Sequence, residues 1–177
     1  LSAARDMIEG GPIDVLTGDY LAELTMAILH SKRVKDDTTG YVGTFLKQFK
    51  DVAALCLERK IKVVVNAGGL NPEGMANQVK VILAEQGLQA NVAWIEGDNL
   101  VPRLHALQNR GNLLANIDSG VALLAAKGRP VTANAYLGAW GIKEALDGGA
   151  DIVICPRVTD ASIVMGPAAW KFNWQRD

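Results

Sequence analysis

Five acidic side chains, Asp19, Glu23, Glu96, Asp98 and Asp160, stand in short polar clusters, each just after an apolar run. Two carboxylates in one site would permit acid–base chemistry. Three carboxylate oxygens with water would hold Mg2+ or a similar hard cation. Arg157 has two readings: it binds a substrate carboxylate or carbonyl through its planar fork, or it pairs with Asp160 or another of these acids. Asn66, Asn134 and Tyr136 add neutral donors and acceptors to the same clusters. The stretch Gly68-Gly69-Leu70-Asn71-Pro72-Glu73-Gly74 leads from an apolar run into a helix. Bare backbone N–H groups there, with Asn71 beside them, would hold a phosphate or carboxylate. The alternative is a tight turn with an asparagine cap.

Other chemistries lack their residues. No Gly-Lys-Ser/Thr follows the glycine turn, so it is not a P-loop, and the glycine spacing of a dinucleotide fingerprint is missing. Redox chemistry on NAD is therefore not expected. His30 and His105 fall on predicted helices without a ligand at fixed spacing, which argues against zinc. A Gly-x-Ser-x-Gly elbow is absent, so a serine α/β-hydrolase is unsupported. Asp118-Ser119-Gly120 resembles an aspartic protease triplet, but those enzymes are all-β and this pattern is not. Cys155 ends a strand beside Pro156 and reads as a small buried hydrophobe.

The elements that must position these residues alternate. Helices are predicted over 2–9, 20–30, 41–59, 72–86, 100–107, 138–146 and from 161 to 170. Strands are predicted over 13–17, 61–65, 91–95, 131–135 and 151–155, with a further one suggested at 113–117. Tyr41, Phe45, Phe49, Val52 and Cys56 recur at helical spacing, as do Met75, Val79, Ile82 and Leu83. Leu21, Leu24 and Ile28 read as the apolar side of the 20–30 helix. Asn71 caps the 72–86 helix, Pro72 takes its first position and Gly87 closes it. Strands alternating with helices imply an α/β fold with a mostly parallel sheet. An open, three-layer, Rossmann-like sheet is preferred over part of a βα barrel, since a closed barrel needs eight strands. In either case the polar clusters gather at the carboxyl edge of the strands, where ligands bind in parallel α/β folds.

The chain has 177 residues, of which 49% are hydrophobic and 21% charged, a globular composition that excludes a disordered tail. With 18 Lys+Arg against 19 Asp+Glu it lacks the basic excess of a phosphate-neutralising nucleic-acid binder. The basic run Lys32-Arg33-Val34-Lys35 is followed by Asp36-Asp37 and reads as a solvated helix end. No apolar run approaches the ~18–20 residues of a membrane span. The first ten residues carry Arg5, Asp6 and Glu9 and do not read as a signal peptide. Two distant cysteines suit a reducing compartment. The expected location is the cytoplasm, or the mitochondrial matrix if the source is eukaryotic. The opening on Leu1 and the aromatic close Trp170-Lys171-Phe172-Asn173-Trp174 lead us to expect a piece of a longer polypeptide.

Taken together the clusters resemble the acyclic terpene utilisation family AtuA. The matching stretches are Gly10-Gly11-Pro12-Ile13-Asp14-Val15-Leu16-Thr17-Gly18-Asp19-Tyr20-Leu21-Ala22-Glu23, Asn66-Ala67-Gly68-Gly69-Leu70-Asn71-Pro72, Glu96-Gly97-Asp98, Ala133-Asn134-Ala135-Tyr136-Leu137-Gly138-Ala139 and Arg157-Val158-Thr159-Asp160-Ala161-Ser162. The resemblance implies one α/β core domain over 1–177, truncated at both ends and corresponding to roughly the N-terminal half of the family's core. Pro156 stands where the family usually has Gly before the arginine. The resemblance also implies breakdown of acyclic terpenoids through acyl-CoA thioesters, often beside biotin-dependent carboxylases.

The functional expectation is therefore an enzyme of branched acyl-CoA or carboxylic acid catabolism. Its reaction would be hydration, lysis or hydrolysis. Asp19, Glu96, Asp98 or Asp160 would handle protons or a metal such as Mg, and Arg157 would orient a carbonyl. Gly68, Gly69, Asn66, Asn71, Asn134 and Tyr136 would bind substrate. The rival expectation is a non-catalytic partner of an acyl-CoA carboxylase. Self-association is expected in either case, with neither nucleic acid nor membrane as partner.

Overall fold

In a computed structural model, residues 2–128 and 130–176 are described. The elements are α1 (Ala3–Glu9), β1 (Val15–Gly18), α2 (Glu23–Arg33), α3 (Gly43–Glu58), β2 (Lys62–Val65), α4 (Pro72–Glu85), β3 (Val92–Trp94), α5 (Leu104–Asn109), α6 (Trp140–Asp147), β4 (Ile152–Ile154) and α7 (Ser162–Lys171). Short 3-10 turns lie at Val101–Arg103 and Leu123–Ala125. The four strands form one parallel sheet in the order β1-β2-β4-β3, with Thr17 opposite Val64 and Val64 opposite Val153. The sheet is open, as expected, and not a closed barrel.

Alternation along the strands sorts the core into two layers. Val63, Val65, Ile152 and Ile154 face a cluster with Ile8, Phe45, Phe49, Val52, Met75 and Val79, which belong to α1, α3 and α4. Val64, Val153 and Cys155 face Ile142, Leu146 and Ile163 of α6 and α7. The predicted apolar faces of α3 and α4 are therefore the buried ones. Topology explains the split. The chain advances across the sheet from β1 to β2 to β3 with its helices on one side. It then returns to insert β4, and right-handed crossovers place α6 on the other side.

Three expectations are corrected. Residues 113–117 form no strand: positions 111–121 are all exposed, and their backbone bonds are local, such as Asn116 N–H to the Val121 carbonyl at 2.9 Å. Without a neighbouring strand the β-like composition has nothing to pair with. Residues 131–135 contribute only one antiparallel bridge, Asn99 to Asn134. The 20–30 helix starts at Glu23, and it buries Met26 and Leu29 rather than Leu24 and Ile28. That inner face, with Leu21, packs on Val42 and Leu70, so α2 meets the loops at the carboxyl edge of the sheet. Among the described residues no helix is long and apolar enough to cross a membrane.

Candidate functional site

All four strands point the same way, so the segments after Gly18, Val65, Trp94 and Ile154 emerge on one edge. Arg157 lies at the centre of the polar residues there, only 5% exposed. Both terminal nitrogens of its guanidinium are engaged. Nη1 donates to the Leu21 carbonyl at 2.9 Å and lies 3.6 Å from Asp160 Oδ1. Nη2 donates to Glu23 Oε1 at 3.1 Å and to the Tyr136 hydroxyl at 2.7 Å. The Tyr136 ring also sits under the guanidinium, 4.2 Å from its carbon, a cation–π arrangement. Tyr136 donates its own O–H to Glu23. The Tyr136 hydrogen bond, with Arg157 beside it, holds the Glu23 carboxyl below its usual value. Burial pulls Arg157 down, but Tyr136 and Glu23 outweigh it and the guanidinium is held above its usual value.

Asp98 is also 5% exposed. It accepts from Asn134 Nδ2 at 2.7 Å and from the Arg157 backbone N–H at 3.3 Å. Burial pushes its carboxyl above the ordinary aspartate value, and these bonds only partly offset that. The loops carrying the pair are stitched together by Ala135 N–H to the Asp98 carbonyl, 2.7 Å, and by Leu137 N–H to the Arg157 carbonyl, 3.2 Å. Asn66, fully buried, donates to Asp19 Oδ1 at 2.6 Å and accepts from the Tyr20 N–H at 2.7 Å. Asn66 therefore positions the exposed Asp19.

The expectation that the Gly68–Gly69 turn cradles an anion gives way to a structural role. Its N–H groups are already used: Gly68 donates to Cys155 O, Gly69 to Asn66 O, Leu70 to Gly40 O and Asn71 to Gly68 O. Gly69 needs its glycine, with φ +54 and Leu29 against it. The Asn71 side chain accepts from Gly74 N–H at 3.0 Å as a helix cap, and its amide donates to the Thr39 carbonyl at 3.0 Å. Glu96 accepts from Trp94 Nε1 at 2.9 Å. It lines a cavity of about 320 Å³ with Asp98, Glu73, Asn71, Asn99 and Arg33.

The five carboxylates are dispersed rather than pooled. Glu23 and Asp160 flank Arg157, Asp19 sits on Asn66, Asp98 faces Asn134, and Glu96 stands on the outer wall. Among the described residues, no three His, Cys, Asp or Glu side chains gather closely enough to hold an ion. The expected three-oxygen magnesium site is therefore not assembled. Cys155 is fully buried, and burial pushes its thiol up to about 12.

Sequence reasoning passed over one wall. Glu23 and Met26 line a cavity of about 160 Å³ with Thr132, Asn134, Tyr136 and Arg157. His30 and Arg33 line the next, of about 140 Å³, with Asn99, Val101 and Thr132. Thr132 lines both of these cavities, and Arg33, Leu70 and Asn99 line both the second and the Glu96 cavity, so the three lie side by side in a trough along α2. Arg33 is the exposed helix end that the sequence suggested, and its guanidinium also bonds the Leu70 carbonyl at the cavity wall. The signal was present: 23, 26, 30 and 33 are spaced three or four apart, which is one side of a helix.

The trough can hold a small polar or charged ligand against a buried carboxyl and a buried guanidinium. Comparison with known proteins agrees with the motif reading. The family described as acyclic terpene utilisation family protein AtuA matches residues 1–177. Searches of curated proteins and of solved structures found no match. A family match over the whole length identifies the chain: it belongs to the acyclic terpene utilisation family AtuA.

Proposed function

We propose that this chain forms the substrate-binding edge of an enzyme of acyclic terpenoid and branched acyl-CoA breakdown. The reaction would be hydration, lysis or hydrolysis of an acyl thioester or carboxylic acid. The observation that carries this is Asp98: a buried carboxyl on a cavity wall, held above its ordinary pKa, beside a buried arginine. A carboxyl raised in this way is suited to proton transfer nearer neutral pH. Arg157 would orient a carbonyl or carboxylate at the Tyr136 end of the trough, displacing Glu23. Asp19 and Glu96 would contact the polar part of the substrate from either side, with Asn66 and Asn134 fixing Asp19 and Asp98.

Asp98→Asn in the full chain tests this with branched acyl-CoA substrates. Turnover is expected to be abolished while the thermal midpoint at pH 7 is not lowered. Retained turnover would remove Asp98 from the chemistry.

A second reading is a non-catalytic partner of an acyl-CoA carboxylase. The observation in its favour is that Arg157 is already neutralised by Glu23 and Asp160. Stable co-purification with a biotin enzyme, without turnover of any thioester, would establish it.

A further inference from the structure

Beyond Asn99 the trough changes character. The turn at Val101–Arg103 and α5 face Leu123, Leu124, Ala126, Gly128 and Pro130 across a groove of about 380 Å³. Val101, Leu104, Leu123, Leu124 and Pro130 supply much of its lining, with His105 on one side. Leu124 is 81% exposed. Val101 lines both this groove and the His30–Arg33 cavity. The junction is fixed, because Leu100 N–H donates to the Ala133 carbonyl at 2.7 Å and Asn99 bridges Asn134. Three cavities are thus neighbours, charged at Arg157, mixed at His30 and Arg33, aliphatic at Leu104, Leu123 and Leu124, with Thr132 lining the first two and Val101 the last two.

We propose that this groove is a hydrocarbon-chain subsite, and that Leu104, Leu123 and Leu124 determine which chain lengths are accepted. The inference rests on the proposed function above, which places the polar end of the ligand in the trough. Scattered exposed aliphatic residues are ordinary on protein surfaces. A groove lined by them and adjoining a cavity lined by Arg33 and His30 has the polarity gradient of an amphiphilic carboxylate or thioester. The groove is open to solvent, with Leu124 largely exposed, so a chain laid in it would be covered on one side by the aliphatic wall.

The test is a calorimetric series on the full chain with straight and methyl-branched carboxylates and their CoA thioesters, from about four to about fourteen carbons. Each methylene that enters the groove should lower Kd about fourfold until the groove is full. Leu123→Trp should end that trend at shorter chains and leave the shortest ligands unaffected. Leu124→Asp should flatten it. Binding that ignores chain length, or a trend that both variants leave unchanged, overturns the subsite and leaves the proposed function standing. No binding by any carboxylate or thioester overturns both. If Leu124→Asp changes only the particle size in light scattering, the groove is a protein interface and the subsite falls.

Discussion

The loops after β2 and β4 leave adjacent strands and head for opposite faces of the sheet, α4 to one and α7 to the other. In open α/β sheets the crevice at such a switch point is the usual ligand site. Here the β2 loop closes it. Gly68 donates to Cys155 O at 3.1 Å, and a Cβ on Gly68 would lie 2.6 Å from that oxygen. The β2 loop spends its N–H groups on backbone carbonyls, two in its own turn and two on Gly40 and Cys155. The β4 loop instead sends out Arg157, whose backbone and side chain reach Asp98, Glu23, Tyr136 and Leu21. Two polar, motif-rich loops therefore divide the work: one is architecture, and the other organises the groups that can meet a ligand. Open space lies outward of the switch point, along α2.

Substitutions test that division, beginning with the largest effect. Gly68→Ala would force a methyl against Cys155 O, Pro72 and Ile154. It should cost about 3 kcal/mol or more, read in chemical denaturation, with activity lost in proportion to folded protein. Arg157→Lys keeps the charge but not the fork. It should cost about 2 kcal/mol and impair turnover beyond any loss of folded protein, which steady-state kinetics on the folded fraction would show. Asn71→Ala removes a cap, so a loss of about 1 kcal/mol with unchanged turnover per folded molecule is expected. A large change in substrate KM would return Asn71 to the binding site.

The smallest effect is one of pH. Because the folded Asp98 carboxyl is raised, the folded chain keeps a proton that the unfolded chain has lost just above the ordinary aspartate value of about 3.9. Its contribution therefore lowers stability as pH rises through that window. The thermal midpoint of Asp98→Asn relative to that of the parent should therefore rise as pH is raised across that window.

What could be read from the sequence followed from periodicity. Phe45, Phe49, Val52 and Cys56 specify α3 without ambiguity, and Val63 to Val65 specify a buried strand. Asn71-Pro72 marks a helix start by local chemistry alone. The carboxyl-edge placement of Asp98 and Arg157 followed from parallel topology, whereas Asn134 reaches them through an antiparallel bridge to Asn99 and not as the end of the expected strand. Partnering was not readable. The aliphatic stretch 113–117 has strand composition but no neighbour, and the exposed Leu24 and Ile28 matched a helical face as well as the buried Met26 and Leu29 did. The glycine turn misled for the same reason. Its residues suit an anion cradle, and only the positions of Cys155 O and Gly40 O show that the N–H groups are already committed.

The strand order has a consequence for how the chain folds as it is made. β3 pairs only with β4, and β2 has β4 as its second neighbour. Until residue 154 has left the ribosome, β3 has no strand to lie beside and one edge of β2 is bare. β2 and β3 thus wait while about sixty residues separate Val92 from its partner Ile152. Long-range parallel pairing of this kind is slow, and a bare strand edge is sticky. Among the described residues β4 is the keystone of the sheet, and the nascent chain is prone to aggregate before it arrives.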